Sequence, residues 1–214
     1  PLEETVVSGR GLDKIALIDV SGFISEEKQQ GFIELPAMVS RIKEELTAAA
    51  KDDKVKAILL RVNSPGGTIT ASDLIYHEIL KFKQQTGKKV IVSILDLGTS
   101  GAYYIAMAAD QIVAHPTSVT GSIGVIDSMY ARFLNVIVTN RKNLSADQIK
   151  KLADGRVYTA SEAKELGLVD QIGYLDDVIE LTKSEAGITK AKVILYSRGE
   201  GNKNNIYSQV FQKP

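Results

Sequence analysis

The sequence predicts an α/β fold with a mostly parallel sheet, β-α-β units in the first half and a more helical second half. Residues 55–62 (VKAILLRV) are almost all apolar, which is typical of a strand covered on both faces of a parallel sheet. Short apolar segments of this kind alternate with segments whose apolar residues recur at helical spacing. The 214 residues fit one domain, predicted over 1–196, that can bury a sizeable core.

The predicted elements of the first half follow one another through short loops. They are strands over 14–20, 55–62, 90–95 and 111–114, and helices over 36–50, 71–85 and 102–109. Pro36 suits the first turn of its helix, and Gly87 suits the end of the next one. Parallel strands joined through helices are expected to cross over with the right hand.

The second half adds a helix over 127–141, a short strand over 168–172 and a last helix over 175–185. Two further short helices are predicted between them. Ser145 with Gln148, and Thr159 with Glu162, have the spacing of a capping box, in which each side chain satisfies the other residue's backbone amide. The tail over 197–214 is polar and rich in glycine and asparagine, and we expect it at the surface.

Composition excludes several classes of function. Lys plus Arg and Asp plus Glu are both 26, so the basic excess of a nucleic-acid-binding protein is absent and no nucleic-acid partner is expected. The chain has no cysteine, only two histidines and no HExxH pattern, so neither a metal site nor a cofactor is predicted. Its apolar runs are far shorter than the roughly 20 residues of a spanning helix. Pro1 in place of Met leads us to expect a truncated or processed chain, and this leaves open an N-terminal anchor that the given sequence does not contain.

Two glycine-rich loops follow neighbouring predicted strands, at the sheet edge where α/β proteins bind ligands. The first is Asn63-Ser64-Pro65-Gly66-Gly67-Thr68, and the second is Gly98-Thr99-Ser100-Gly101-Ala102. Ser100 stands at a strand-to-helix junction between glycines, as a nucleophilic serine does on a tight turn. The amide of Gly101 and one from the Gly66-Gly67 loop would form an oxyanion hole. A plain turn with an N-capping serine is the alternative interpretation.

A nucleophilic serine needs a general base, and the sequence leaves its identity open. A Ser-His-Asp arrangement would use His77 or His115, with Asp96 or Asp110 as the acid. The other solution is a lysine kept neutral by burial, but no lysine stands out. A third loop, 117–125, contains Ser122, which would either hydrogen-bond a catalytic amine or satisfy loop backbone groups. Neither GxxxxGK[ST] nor GxGxxG occurs, so nucleotide binding is not predicted.

Four motifs, in this order, resemble the bacterial signal peptide peptidase A family, serine proteases with the fold shared by Clp protease and the crotonases. They are RVNSPGG at 61–67, GTSGAYYIAMAAD at 98–110, AHPTSVTGSIGV at 114–125 and ADGRVYTASEAKELGLVDQIG at 153–173. The resemblance covers roughly 14–186. It implies Ser100 as nucleophile, the Gly67 and Gly101 amides as oxyanion hole, and Ser122 as hydrogen-bond partner of the catalytic lysine.

The resemblance further implies a Ser/Lys dyad, no cofactor, and cleaved signal peptides or other hydrophobic peptides as substrates. It also implies homo-oligomers, membrane association of the full-length protein, and a catalytic domain on the extracytoplasmic side of the cell membrane. The sequence departs from the family at one point. In the family, several tens of residues after GSIGVI carry the base lysine in a KSGxxKD-like stretch, whereas here Ile126 leads straight into Asp127.

We hypothesise that a segment is missing from the sequence between Ile126 and Asp127. An inactive homologue or a natural deletion is the alternative. Three other functions stay open: a Clp-like Ser-His-Asp protease that uses His115, a crotonase-type acyl-CoA enzyme in which Ser100 is incidental, and a non-catalytic assembly subunit. The Ser/Lys peptidase is the function that the motifs predict.

Overall fold

The computed structural model describes residues 2–26, 37–124, 127–197 and 206. The strands are β1 (Glu3–Gly9), β2 (Asp13–Ser21), β3 (Val55–Ser64), β4 (Lys89–Thr99), β5 (Gln111–Ala114), β6 (Val119–Gly121), β7 (Val157–Thr159), β8 (Gln171–Ile172) and β9 (Ala191–Ser197). The helices are α1 (Met38–Lys51), α2 (Ile69–Thr86), α3 (Gly101–Ala106), α4 (Asp127–Asn140), α5 (Ala146–Leu152), α6 (Ala160–Glu165) and α7 (Leu175–Glu185).

All of these strands belong to one sheet, whose main path runs β1-β9-β2-β3-β4-β5-β8. Every pair along this path is parallel except β1 with β9, and β6 adds to β4 before pairing antiparallel with β7. The structure thus confirms the predicted α/β class with a mostly parallel sheet. Strand β9 pairs between β1 and β2, so the two ends of the described chain lie side by side.

Helices cover both faces of the sheet, which explains why its central strands are apolar throughout. On β3, Ile58 and Leu60 point into the larger core beneath α1, α2 and α3, whereas Leu59 points into the second core beneath α7. Both kinds of position are fully buried. Burying one large apolar side chain contributes about 1.5 to 3 kcal/mol to the free energy of folding. This double-sided packing is therefore the main source of the fold's stability.

Strand β4 changes partner halfway along, and this change sets the position of Ser100. It pairs with β5 up to Ile94 and with β6 from Leu97 to Thr99. The hydroxyl of Thr120 on β6 donates to the carbonyl of Gly98 at 2.7 Å, which fixes this second half of β4. The prediction of a strand ending near residue 95 was therefore too short: the strand continues to Thr99, and Ser100 follows it directly.

Most predicted elements are present, and both capping boxes are confirmed at the starts of α5 and α6. The strand predicted over 168–172 was wrong in its first part, because Leu168 and Val169 are core residues of a turn and only Gln171–Ile172 pairs. Pro36 and the junction between 126 and 127 lie outside the described residues. Of the tail predicted at the surface over 197–214, only Ser197 and Ile206 are described. For these two residues the prediction was wrong, because Ser197 ends β9 and both are buried. Ile206 itself is buried, and its carbonyl accepts a hydrogen bond from Arg61.

Candidate active site

Ser100 occupies a strained turn between β4 and α3. Its φ of 53° and ψ of −122° lie in a region that side-chain-bearing residues rarely adopt. Hydrogen bonds hold it there on both sides: its amide donates to the carbonyl of Gly121 at 2.8 Å, and its carbonyl accepts from the amide of Tyr104 at 3.0 Å. Strain of this kind costs about 1 to 3 kcal/mol and persists only where the surroundings impose it. The geometry is that of a nucleophile elbow.

The Gly66-Gly67 loop lies directly against this turn. Ile24 makes two hydrogen bonds to the residues on either side of Gly67. The amide of Ile24 donates to the carbonyl of Gly66 at 3.0 Å, and the carbonyl of Ile24 accepts from the amide of Thr68 at 2.8 Å. In this parallel bridge the N–H of Gly67 itself points away from Ile24. The nitrogen of Gly67 lies 3.4 Å from the point where a Cβ on Gly101 would stand, so the two predicted oxyanion glycines are neighbours.

Close packing explains why glycine is needed at these positions. A Cβ on Gly66, whose φ is 101°, would lie 2.8 Å from the nitrogen of Gly101 and 2.9 Å from the Cβ of Ser100. A Cβ on Gly101 would lie 2.3 Å from the hydroxyl oxygen of Ser72. The side chain of Ser64 fixes the Gly66-Gly67 loop. Its hydroxyl donates to the carbonyl of Gly22 at 2.6 Å and accepts from the amide of Gly66 at 3.0 Å.

The amides of Gly67 and Gly101 therefore flank the turn that carries the Ser100 side chain. Within the described ranges, neither amide donates to a protein acceptor. Backbone N–H groups held in this way can stabilise the negative oxygen of a tetrahedral intermediate, and one such donor typically contributes about 3 to 4 kcal/mol in the transition state. The site has the parts needed for acyl transfer through a serine.

A cavity of about 190 Å³ opens beside Ser100 at the junction of α2, α3 and α4. Its lining comprises Gly67, Thr68, Ile69, Ser72, Ser100, Gly101, Tyr104, Arg132 and Phe133. The rings of Tyr104 and Phe133 meet edge to face with centroids 5.2 Å apart and form an aromatic wall. At this size the cavity accepts a single side chain rather than a whole small-molecule ligand.

An ion pair stands at the wall of this cavity. Two nitrogens of Arg132 donate to the carboxylate of Asp73 at 2.8 to 3.1 Å, and the hydroxyl of Tyr104 donates to the same carboxylate at 2.6 Å. Burial works to raise the pKa of Asp73, but the bonds from Tyr104 and Arg132 outweigh it and hold the pKa below its usual value. Burial and the bond to Asp73 raise the pKa of Tyr104 to about 12. Sequence reasoning missed this pair.

Ser122 lies on the strand end next to the elbow, directly after the Gly121 carbonyl that binds Ser100. Its φ is 52°, and apart from Ser100 it is the only non-glycine residue with positive φ among the described ones. Its amide donates to the carbonyl of Arg156 at 2.7 Å, so a hydrogen bond to a distant part of the chain holds the backbone of Ser122 in this conformation. It does not line the cavity beside Ser100. Its predicted role toward a lysine stays a prediction.

Neither histidine is placed to serve Ser100. His77 is exposed on α2. His115 is bound to Thr117, with 2.9 Å between its Nδ1 and the hydroxyl, and packs edge-on against Tyr174. Its amide donates to the carbonyl of Ile94, where β4 still pairs with β5, several residues before the end of the strand. The register therefore separates His115 from the elbow and disfavours the Ser-His-Asp alternative.

The candidate acids of that alternative are engaged elsewhere. Asp96 accepts from the side chain of Asn63 at 3.0 Å. Asp110 accepts from the backbone amide of Val90 at 2.8 Å and pairs with Lys83 at 3.1 Å, at the edge of the sheet where the strands begin. This is the edge opposite Ser100.

No lysine lines the Ser100 cavity in the part of the chain that the structure describes. Burial lowers the pKa of Lys88, as a catalytic lysine requires. However, its ammonium donates to the carbonyls of Ala49 and Asp52, again at the opposite edge of the sheet. Among the described residues, no group of His, Asp and Glu side chains could hold a metal ion, and no helix has both the length and the apolar character to cross a membrane.

The strained serine, the paired glycine amides and the α/β framework define a serine-type peptidase. The model of peptidase family S49 matches residues 82–129 and 125–189. The chain belongs to this family.

Two relatives show more narrowly which kind of S49 peptidase this chain is. It is 31% identical to a putative signal peptide peptidase SppA from Enterococcus faecium, with 91% of this chain and 70% of that protein covered. It is 33% identical to Protease 4 from Salmonella typhi over 77% of this chain. That protein is longer, and the match covers only 33% of its length. The chain is thus a serine peptidase of the SppA and Protease 4 type, and the resemblance read from the four motifs is confirmed.

Solved structures show the same fold. The 1510-N membrane-bound stomatin-specific protease, in a variant bound to a substrate peptide, superposes with a TM-score of 0.68 at 16% identity and covers 90% of this chain and 94% of its own. A ClpP1 variant from Listeria monocytogenes has a TM-score of 0.60 at 20% identity and covers 75% of this chain and 92% of its own. The predicted ClpP/crotonase-like fold is therefore confirmed.

The family match is divided at the junction between Ile126 and Asp127, where the sequence predicts a missing segment. It falls into two segments that meet at 125–129. The similarity to the Enterococcus protein extends over 242 residues, more than the 214 of this chain, so the relative contains residues without a counterpart here. The two matched ranges overlap at the position where the motifs predict a missing stretch, and the missing stretch stays a prediction.

Proposed function

We propose that the chain is the core of a Ser/Lys endopeptidase that degrades remnant signal peptides and other hydrophobic peptides, with Ser100 as nucleophile. One observation carries the proposal: the strained Ser100 turn lies between two unengaged glycine amides and beside an apolar cavity. A turn with a merely structural serine needs neither positive φ nor free amides next to it.

In this mechanism the Ser100 hydroxyl attacks the scissile carbonyl while its proton passes to a neutral lysine amine. The carbonyl oxygen becomes an oxyanion, held by the N–H groups of Gly67 and Gly101. Collapse breaks the C–N bond, the lysine returns the proton to the leaving amine, and an ester to Ser100 remains. Water activated by the same lysine then hydrolyses the ester and restores Ser100.

The lysine is proposed to come from a segment between Ile126 and Asp127, with Ser122 as its hydrogen-bond partner. The split family match at 125–129 supports this placement. The mass of the protein purified from its natural source, together with sequencing of the peptide that spans 126 and 127, tests it. A mass well above 23.2 kDa with extra residues at this junction is expected. A junction without extra residues would leave the enzyme without its base and favour a non-catalytic subunit.

The wider setting follows from the relatives. An extended apolar peptide would bind by strand pairing next to the glycine loop. The likeness to ClpP1 supports a homo-oligomer, and the relatives named signal peptide peptidase support a cell-membrane setting with the catalytic domain on the extracytoplasmic side. Both are proposals for the full-length protein.

The direct test is hydrolysis of a signal-peptide-like substrate by the full-length protein and by its Ser100→Ala variant. The exposed Ser161 on α6 provides a matched control, as Ser161→Ala removes the same hydroxyl from a residue that does not line the Ser100 cavity. We expect hydrolysis to be lost only in Ser100→Ala. Equal hydrolysis by both variants would overturn the proposal, and loss in His115→Ala would favour the Clp-like alternative.

A further inference from the structure

The Asp73–Arg132 ion pair is the part of the cavity wall that peptide-bond chemistry does not require. Asp73 belongs to α2 and Arg132 to α4, and among the described residues neither side chain hydrogen-bonds to the Ser100 turn. Both nevertheless stand at the cavity, since Arg132 lines it directly and Asp73 is bound to the lining residue Tyr104.

The pair makes the cavity electrically neutral. The carboxylate of Asp73 accepts from Tyr104 and from the Nε and Nη2 of Arg132. The rest of the lining is apolar or carries hydroxyls, with Ile69 and Phe133 among its apolar members. A charged substrate side chain entering this space would lose water without gaining a free partner of opposite charge. An uncharged side chain incurs no such cost.

The two charges of the pair can be removed one at a time, and the two partners differ in what else holds them. Arg132 has a side chain 62% exposed, and in the described part of the chain its Nη1 makes no hydrogen bond. Asp73 keeps the hydroxyl of Tyr104 even without the arginine. Removing Arg132 would therefore leave the Asp73 carboxylate bound to Tyr104, and after removal of Asp73 we expect the Arg132 guanidinium to stay at the cavity that it lines.

Resting on the proposed function, we propose that the Asp73–Arg132 pair sets the charge specificity for the residue on the acyl side of the scissile bond. With the pair intact, the cavity selects an uncharged, apolar side chain. Without Asp73 it becomes a site for an acidic side chain, and without Arg132 a site for a basic one. Arg132 and Asp73 are specificity-determining residues and take no part in bond cleavage.

The test compares three peptides that differ only in having Leu, Glu or Lys at this position. Binding is measured by fluorescence anisotropy in the Ser100→Ala background of the full-length protein, so that no peptide is consumed. Asp73→Asn should improve the affinity for the Glu peptide relative to the Leu peptide at least tenfold. Arg132→Gln should do the same for the Lys peptide. The double variant, neutral again, should return to the preference for Leu.

Two controls keep a folding defect apart from a specificity change. Asp73→Asn retains an oxygen that accepts from Tyr104, and thermal unfolding checks that the fold survives. Asp176→Asn removes an exposed carboxylate from α7, on the other face of the sheet, and should leave all three affinities unchanged. Unchanged Glu-to-Leu and Lys-to-Leu ratios in folded variants, or failure of the Leu peptide to bind, would overturn the inference.

A second measurement separates this inference from the proposed function. A small fluorophosphonate, which needs no side-chain pocket, should label Ser100 in the chain with and without Asp73→Asn. Labelling without any change of peptide preference refutes only the specificity role. Absence of labelling in every Ser100-containing protein refutes the proposed nucleophile, whatever the binding data show.

Discussion

The packing between Gly101 and Ser72 yields a prediction that a double substitution can test. Gly101 has an ordinary negative φ, so alanine is allowed there by its backbone and excluded only by space. An added Cβ would lie 2.3 Å from the Ser72 hydroxyl oxygen but 3.3 Å from the Ser72 Cβ. The obstacle is thus one oxygen atom, and Ser72→Ala removes it.

The magnitudes follow from these distances. Gly101→Ala alone overpacks a buried position and should cost about 1 to 3 kcal/mol of the free energy of unfolding. Ser72→Ala loses the 2.8 Å bond from the hydroxyl to the carbonyl of Thr68, which still accepts from the Ser72 amide. That loss should cost about 1 kcal/mol. The double variant should resemble Ser72→Ala alone, which corresponds to a coupling as large as the cost of Gly101→Ala, about 1 to 3 kcal/mol.

Two measurements follow each variant: the free energy of unfolding in urea, and the rate at which a fluorophosphonate labels Ser100. If the overpacking displaces the Gly101 amide, Gly101→Ala should slow labelling roughly tenfold to a hundredfold, since about 1.4 kcal/mol corresponds to a factor of ten. The double variant should recover most of this rate. A neutral Gly101→Ala, or a defect that persists undiminished in the double variant, would refute the packing described at the elbow.

Three further predictions concern the glycine loop, the elbow and a buried carboxyl. Gly67→Ala should cost about 3 kcal/mol of unfolding free energy and abolish peptide hydrolysis, because its Cβ would lie 2.0 Å from the backbone oxygen of Ile24; a stable, active variant would contradict this. Ser100→Gly should be more stable than Ser100→Ala by about 1 kcal/mol in urea unfolding, because only glycine relieves the positive φ, and equal stability would show that the turn is unstrained. Burial raises the pKa of Glu45 from 4.5 to about 7 despite its bonds to Arg41, so the folded chain holds a proton that the unfolded chain has lost between these pH values. The unfolding free energy should therefore fall by up to about 3 kcal/mol as the pH rises from 4.5 to 7, and Glu45→Gln should abolish this dependence; the same slope in the variant would assign it to another group.

Features encoded by local patterns could be predicted from the sequence. The apolar run of β3 and the capping boxes of α5 and α6 depend on residues a few positions apart, and the structure contains them as expected. The elbow glycines were found because nucleophile turns need small residues on either side of the serine. Their steric reason, contact with Ser72 and with the backbone of Ile24, was not visible in the pattern.

Features that depend on distant contacts could not be predicted. Asp73 and Arg132 are 59 positions apart, and nothing in either local sequence indicates their pairing. The extension of β4 to Thr99 depends on β6, a three-residue strand too short to stand out in the sequence. Similarly, β9 was missed because its insertion between β1 and β2 is set by packing over the whole sheet.

The central claim is that Ser100 is the nucleophile, and mass spectrometry of the full-length protein after fluorophosphonate treatment tests it most directly. The account predicts a single adduct that maps to the peptide containing Ser100, is absent from Ser100→Ala and is retained in Ser161→Ala. An adduct on another residue, or peptide hydrolysis that continues in Ser100→Ala, would contradict it.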